Sequence, residues 1–316
     1  MKTSSARLRM VAFSAVILAV LPYVTLKVMW LMGSTLGLTP GLASNHMQDP
    51  RLVVGNAITI GLEIIALGLA VALIKPWGRR VPGWLVLLTA GGATGLLAPV
   101  LLGLPPGLIL QLLVDGTMTT GDEGGMRQWV FIVVYSSFGL LAMALACLFA
   151  IYAGDRWRRL LSHQPQRPPL RLVLACSPGI VVFGIALISW GVTGPGDTGP
   201  QGLTSIAQRT PLIATGILAL LGWAVPLLPK LMSLHPRAAW LAMWTGVATA
   251  ALQGPAHILL AHGGIGEPIV TTLAIIATLS ASVYGLSVLS RAHPARVLPT
   301  NDTAGQTSST AAPAIG

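Results

Sequence analysis

Long apolar runs separated by short polar breaks recur along the whole chain, and within them hydrophobic positions do not alternate with a period of two. The runs fall at about 10–36, 52–74, 84–104, 128–152, 170–192, 210–228, 238–261 and 268–290. Each is close to the ~20 residues that a helix needs to cross a bilayer. Helices satisfy every backbone N–H and C=O within one segment, as lipid demands, whereas a barrel would require short alternating strands. The pattern therefore predicts an all-α integral membrane protein with eight transmembrane helices over residues 1–291. The first run follows Lys2, Arg7 and Arg9 as a signal peptide would, but it continues past Pro22 to Trp30 and Met32. That exceeds the ~7–15 apolar residues of a signal sequence, so it is read as an uncleaved first span. After Pro105 and Pro106, the apolar stretch Gly107–Val114 is too short to span and is read as an interfacial segment. Residues 292–316 are rich in Ser, Thr, Ala and Pro and lack aromatics, which predicts a disordered tail.

Composition agrees with this reading. Of 316 residues, 53% are hydrophobic and 9% charged, with mean hydropathy +0.76. Soluble chains carry about 25% charged residues, so lipid is the partner this composition requires. The net charge of +10 would suggest nucleic acid in a soluble domain, but here the basic residues sit in short clusters between spans, without a basic face or recognition motif. Their placement instead sets orientation. Lys2, Arg7, Arg9, Lys75, Arg79, Arg80, Arg156, Arg158, Arg159, Arg167, Arg171, Lys230, Arg237, Arg291 and Arg296 fall on one side of the eight-span arrangement. The opposite loops hold Arg51, Arg127 and Arg209, and Lys27 lies within a span. An excess of Lys and Arg marks cytoplasmic loops, so both termini are expected in the cytoplasm of a multi-pass cell-membrane protein. Cys147 and Cys176 lie inside apolar runs, form no metal pattern, and read as small packing residues.

A shift of 156 residues superposes Pro22 on Pro178, Trp84 on Trp240, Leu85 on Leu241, Thr89 on Thr245, Leu96 on Leu252 and Pro99 on Pro255 without gaps. Spans 1–4 then overlie spans 5–8. Since each half holds an even number of spans, this points to a 4+4 parallel repeat with halves 1–155 and 156–291.

Two polar stripes interrupt the apolar runs. Lys27 and Glu63 are the charged residues well inside spans 1 and 2, and Asn56 and Thr59 share the Glu63 face. A central charge is costly and faces protein or water. Lys27, Asn56, Thr59 and Glu63 are accordingly read as an intramembrane polar seam. In it Lys27 and Glu63 form a structural pair, with a proton- or substrate-binding carboxylate as the competing reading. In span 7, Thr249, Gln253 and His257 recur every four residues on one face. His257, His262 and Glu267 could hold zinc with His46 or Asp49 as a further ligand, but the spacing matches no zinc motif. An interhelical hydrogen-bonded histidine is the preferred reading, and no metal or cofactor is expected. Gly33/Gly37, Gly91/Gly95, Ala142/Ala146/Ala150 and Ala277/Ala281/Gly285 form small-residue ladders suited to close helix packing. No nucleotide loop, dinucleotide fingerprint, nucleophile elbow or catalytic carboxylate pair is present in the sequence.

The run Leu21-Pro-Tyr-Val-Thr-Leu-Lys-Val-Met-Trp-Leu-Met-Gly-Ser-Thr-Leu-Gly37, with Arg79-Arg-Val-Pro-Gly-Trp84, resembles a family of multi-pass membrane proteins of actinobacteria. That family has no assigned activity, so the resemblance implies a helical membrane fold and carries over no site residues. Three function classes stand: a non-catalytic membrane component of accessory, sensor or immunity type; a small-solute or proton-coupled transporter using Glu63; and an intramembrane enzyme built on His257 and Glu267.

The arrangement predicts that reporter fusions after Arg80, Arg159, Pro236 and Pro294 report cytoplasmic locations, and that fusions near Asp49, Glu123, Asp197 and Gly264 report external ones. Wrong-side activity at two consecutive loops overturns the eight-span topology.

Overall fold

The computed structural model describes residues 2–39, 50–116, 127–203, 205–228, 234–259 and 267–292. Among these the chain is all-α, without a strand. Eight α-helices follow one another: α1 Lys2–Leu31, α2 Pro50–Ile74, α3 Gly83–Asp115, α4 Gln128–Arg156, α5 Leu170–Thr193, α6 Ile206–Ala224, α7 Pro236–Leu259 and α8 Pro268–Arg291. Six of them, all but α6 and α7, are long and apolar enough to cross a membrane. The two exceptions carry the polar load: Gln208 and Arg209 near the start of α6, and Arg237, Gln253 and His257 along α7. They are also the helices most enclosed by others. Helix α6 packs against α3, α5 and α7, while α7 packs against α3, α6 and α8. Reduced lipid contact is what lets a less apolar helix sit in a bundle of this kind.

Contacts near the helix ends show that successive helices run antiparallel. Arg9 at the start of α1 pairs with Asp155 at the end of α4, and Arg79 just after α2 approaches the same carboxylate. At the other end, the Arg127 amide before α4 donates to the Gly37 carbonyl beyond α1 at 2.8 Å. Trp240 near the start of α7 donates through Nε1 to the His163 carbonyl ahead of α5 at 2.8 Å. One end of the bundle thus gathers the starts of odd-numbered helices and the ends of even-numbered ones.

Within each half the helices neighbour one another in cyclic order: α1 on α2 and α4, with α3 on α2 and α4; then α5 on α6 and α8, with α7 on α6 and α8. The halves join where α3 lies against both α6 and α7, but α7 makes no comparable packing with α2. The two halves are also held differently. An apolar core of Val16, Leu69, Leu141, Leu145 and Leu148 fills the first, and a Cβ added at Gly55, Gly61, Gly68 or Gly139 would meet nothing within 4 Å. The second half and the seam with α3 instead bring backbones together at glycines. A Cβ on Gly222 would lie 2.6 Å from the Val247 nitrogen, and one on Gly246 would fall on the Leu218 carbonyl oxygen. Such approach lets dispersion hold helices where lipid supplies no hydrophobic drive.

Several expectations change. Helix α1 starts near Lys2 and ends at Leu31, so Gly33 and Gly37, with φ of 92° and 79°, form turns rather than a helical ladder. The ladder Gly91/Gly95 does face α7, meeting Trp244 and the Ala248 backbone, and Ala277, Ala281 and Gly285 are all buried. Ala142 is buried, but Ala146 and Ala150 are exposed; Leu141, Leu145 and Leu148 carry that face of α4 instead. Cys147 and Cys176 are both free, and Cys176 is buried in the second core.

The largest difference is α3, which continues unbroken through Pro99, Pro105 and Pro106 to Asp115. The interfacial segment is therefore the last part of a helix of 33 residues, about 50 Å long at 1.5 Å per residue. Packing overrides the local penalty of the prolines: Gly103, Leu104, Gly107 and Gln111 form a buried face. A Cβ on Gly103 would lie 2.6 Å from the Pro211 Cα, and one on Gly107 would lie 3.0 Å from the Ala207 Cα.

If close approach holds α6 to α7, Gly246→Ala should lower stability by about 1–3 kcal/mol. Gly139→Ala, with open space around it, should be nearly neutral. Thermal melts of the purified variants in one detergent check this; equal melts would remove the claim.

Candidate functional site

The first polar stripe lies between α1 and α2. The ammonium of Lys27 donates to Asn56 Oδ1 at 2.8 Å and stands over the rings of Trp30 and Tyr23, at 4.8 and 5.4 Å from their centroids. Cation–π contact and the amide together replace the water that Lys27 loses. Thr59 turns its hydroxyl to the Asn56 carbonyl at 2.9 Å, one turn along α2. Glu63 is 5% exposed, and its Oε2 has no hydrogen-bond partner. The phenol of Tyr23, itself 3% exposed, lies beside Thr59 and Glu63, and its ring packs tilted against Phe138 of α4 with centroids 4.9 Å apart.

The structure thus brings Lys27, Asn56, Thr59 and Glu63 to one seam but does not pair Lys27 with Glu63. The reason is depth. Lys27 sits four residues from the end of α1, and Glu63 lies ten residues beyond Val53 in α2. The difference of six residues is about 9 Å along antiparallel helices, beyond the reach of a lysine stem. Asn56 lies at the level of Lys27 and takes its place. Tyr23, one turn deeper than Lys27, faces the carboxylate instead. Its position four residues before Lys27 was the signal that would have placed it on the seam.

The second stripe resolves into three different environments. Gln253 donates through Nε2 to the carbonyls of Gly95 at 2.9 Å and Leu96 at 3.3 Å, across to α3. Pro99 has no N–H, so the Gly95 carbonyl four residues earlier loses its helical donor. Gln253 supplies the missing one. Thr249 is fully buried, with no partner for its hydroxyl among the described residues. His257, in the last turn of α7, also leaves Nε2 buried and unpartnered. The interhelical hydrogen bond expected of it is absent among the described residues, because the depth at which α7 meets α3 is taken by Gln253. His46, Asp49 and His262 lie outside the described residues. Among those described, no three His, Cys, Asp or Glu side chains converge as metal ligands.

The same logic of donating to stranded backbone groups recurs elsewhere. Pro211 frees the Ala207 carbonyl, and the Thr210 hydroxyl donates to it at 3.2 Å. The Ala207 amide, in the first turn of α6, donates to Gln111 Oε1 at 3.1 Å. Ser205 and Gln208 complete a capping box there. The phenol of Tyr284 donates to the Trp223 carbonyl at the end of α6 at 2.7 Å. That of Tyr152 donates to the Gly78 carbonyl just after α2 at 3.0 Å. In each half, then, a tyrosine of the fourth helix holds the end of the second. Sequence reading passed over Gln111, although a lone amide after a proline pair in an apolar run is a signal in itself. Comparison with family models, curated proteins and solved structures yields no match to this chain.

If Gln253 answers Pro99, Gln253→Leu should cost about 1–3 kcal/mol by leaving the Gly95 carbonyl unmade. Pro99→Ala restores an N–H, so the same change in that background should cost little. A melt-based double-mutant cycle reads the coupling, and additive effects would show that the two residues act independently.

Proposed function

We propose that the chain is a non-catalytic component of the cell membrane that crosses the bilayer eight times, with both termini in the cytoplasm. One observation carries this reading. Five polar side chains that bridge elements of the bundle are spent on neighbouring backbones and on one another: Gln253 on Gly95, Gln111 on Ala207, Tyr152 on Gly78, Tyr284 on Trp223 and Lys27 on Asn56. Such bonds fix a fold rather than assemble a reacting centre. Helices α6 and α7 are taken to span as well, since both run beside helices of full membrane length and Gln253 of α7 is turned to α3. The basic residues gathered at one end support the orientation. The matching cyclic order of helices in the two halves supports an origin by duplication, with the first half since loosened. The likeness of the first span to multi-pass membrane proteins of actinobacteria is in keeping with this role.

A second reading is favoured by one side chain. Glu63 is a buried carboxyl near the middle of α2 with an oxygen free of partners, and Tyr23 and Thr59 stand next to it. An intramembrane acid of this kind is suited to carry a proton in a coupled transporter.

The two readings part at Glu63. In a purely structural role its unpartnered oxygen is a liability, so Glu63→Met should raise stability by about 1–3 kcal/mol and alter nothing else. In a coupling role the variant should fold and abolish proton flux measured with a pH-sensitive dye in proteoliposomes. Lys27→Met should add to Glu63→Met within about 0.5 kcal/mol, since the two groups do not touch. Proton flux in the wild type that vanishes in the variant overturns the structural reading.

A further inference from the structure

At the end of the bundle where the basic residues gather, three helix ends enclose a pocket of about 360 Å³. Arg9 of α1, Lys75 and Arg79 after α2, and Asp155 of α4 line it, with Leu73 and Ile74 forming an apolar wall. Asp155 takes Arg9 at 2.6 Å and Arg79 at 3.6 Å. Two guanidinium groups therefore share one carboxylate, with the ammonium of Lys75 lining the same pocket, and the buried Nε of Arg9 has no partner. Asp155 is the one acidic residue in the loops and helix ends on this side, which makes the imbalance local.

The pocket is built rather than incidental. The chain after α2 makes a 3₁₀ turn, Pro76–Arg80, whose Gly78 is buried against the Ala72 carbonyl so closely that no side chain fits. Tyr152 donates to the Gly78 carbonyl, Arg156 bonds to the Tyr152 hydroxyl, and Arg156 Nη2 donates to the Val81 carbonyl at 2.8 Å. These bonds tie the turn to α4. Lys75 and Arg79 are held at the rim while their side chains remain exposed.

We propose that this pocket binds a phosphate-bearing anion, and that its source is the headgroup of an anionic phospholipid. Guanidinium groups recognise phosphate oxygens by paired, charge-assisted hydrogen bonds, and an ammonium adds a point charge. The excess of two positive charges matches a phosphodiester with a further anionic group nearby. A lipid is favoured over a soluble phosphate because exposed apolar side chains flank the pocket residues in the chain, Leu8, Met10 and Val11 around Arg9 on α1 and Trp77 in the turn that carries Arg79. A headgroup in the pocket would leave its acyl chains along those side chains. Basic pockets between helix ends are suited to this role. The site stands whether or not the orientation and role proposed above hold, because it is defined by residues of one end of the bundle.

The test uses the full chain purified in neutral detergent, with thermal melting as the readout. Phosphatidylglycerol should produce a saturable rise in melting temperature, as a ligand of the folded state does, and phosphatidylcholine should not. The double variant Lys75→Gln/Arg79→Gln, both exposed positions, should weaken the response about tenfold. Arg171→Gln, an exposed basic residue at the same end of the bundle, should keep it. Asp155→Asn removes the competing carboxylate and should tighten binding. If inorganic phosphate alone gives the whole response and phosphatidylglycerol adds nothing, the lipid source is overturned and the anion is a free phosphate. A response that is absent, or that persists unchanged in the double variant, overturns the site.

Discussion

A backbone carbonyl or amide that loses its helical partner inside a membrane has no water to turn to, and the architecture of this protein depends on how that need is met. Prolines at 99 and 211 each strand a carbonyl, and each is answered by a side chain placed for it, Gln253 from another helix and Thr210 from the same one. Helix ends pose the same demand and are met by Gln111, Tyr152 and Tyr284. The glycines that let α3, α6 and α7 approach closely are what bring donors within reach: Gly95 both accepts from Gln253 and packs against Ala248. Close approach and polar satisfaction are thus one device. A bulkier residue at Gly95 would push α7 away and strand the carbonyl as well.

The halves use this device unequally. In α5–α8, glycine contacts and a core around Phe183, Tyr284 and Met243 leave little free volume. In α1, α2 and α4 the glycines meet nothing and branched side chains do the packing. The seam residues lie in this looser half, where Lys27 gains a cation–π shelter rather than an acidic partner.

Much of this was legible in the sequence. Membrane class, the order and approximate places of the helices apart from the ends of α1 and α3, and the polar faces of α2 and α7 follow from apolar run length and from i, i+4 spacing, which are local properties. What failed was non-local. Pro105 and Pro106 end a helix by every local rule, yet α3 continues because Gly103 and Gly107 fit against Pro211 and Ala207 a hundred residues away. The Lys27–Glu63 pair failed because it required helix ends placed to within a turn, and α1 stops at Leu31 rather than at residue 36. Gly33 and Gly37 have helical spacing but serve turns, a distinction that depends on backbone sign and not on pattern. Asp155 carried a signal that could have been read: one acid among the many cations of the loops and helix ends on the basic side.

Both halves hold buried groups with unmet chemical capacity, and the one carboxylate among them lies in the first. Glu63 and the Arg9–Asp155 pocket both belong to the first half, one near the middle of α2 and one at an end of the bundle, and both are bounded by α1, α2 and α4. On the second half the unpartnered atoms are Arg209 Nε, Trp244 Nε1, Thr249 Oγ1, Thr278 Oγ1 and His257 Nε2, of which the guanidinium of Arg209 alone is a permanent charge. A hydroxyl without a partner costs far less than a carboxylate or guanidinium in the same state, because only the latter must be desolvated as ions. A tight bundle can keep the former indefinitely as a packing compromise. The latter persist only where something else offsets them: a proton for Glu63, an anion for Arg9 and Arg79, or helices loose enough to admit water.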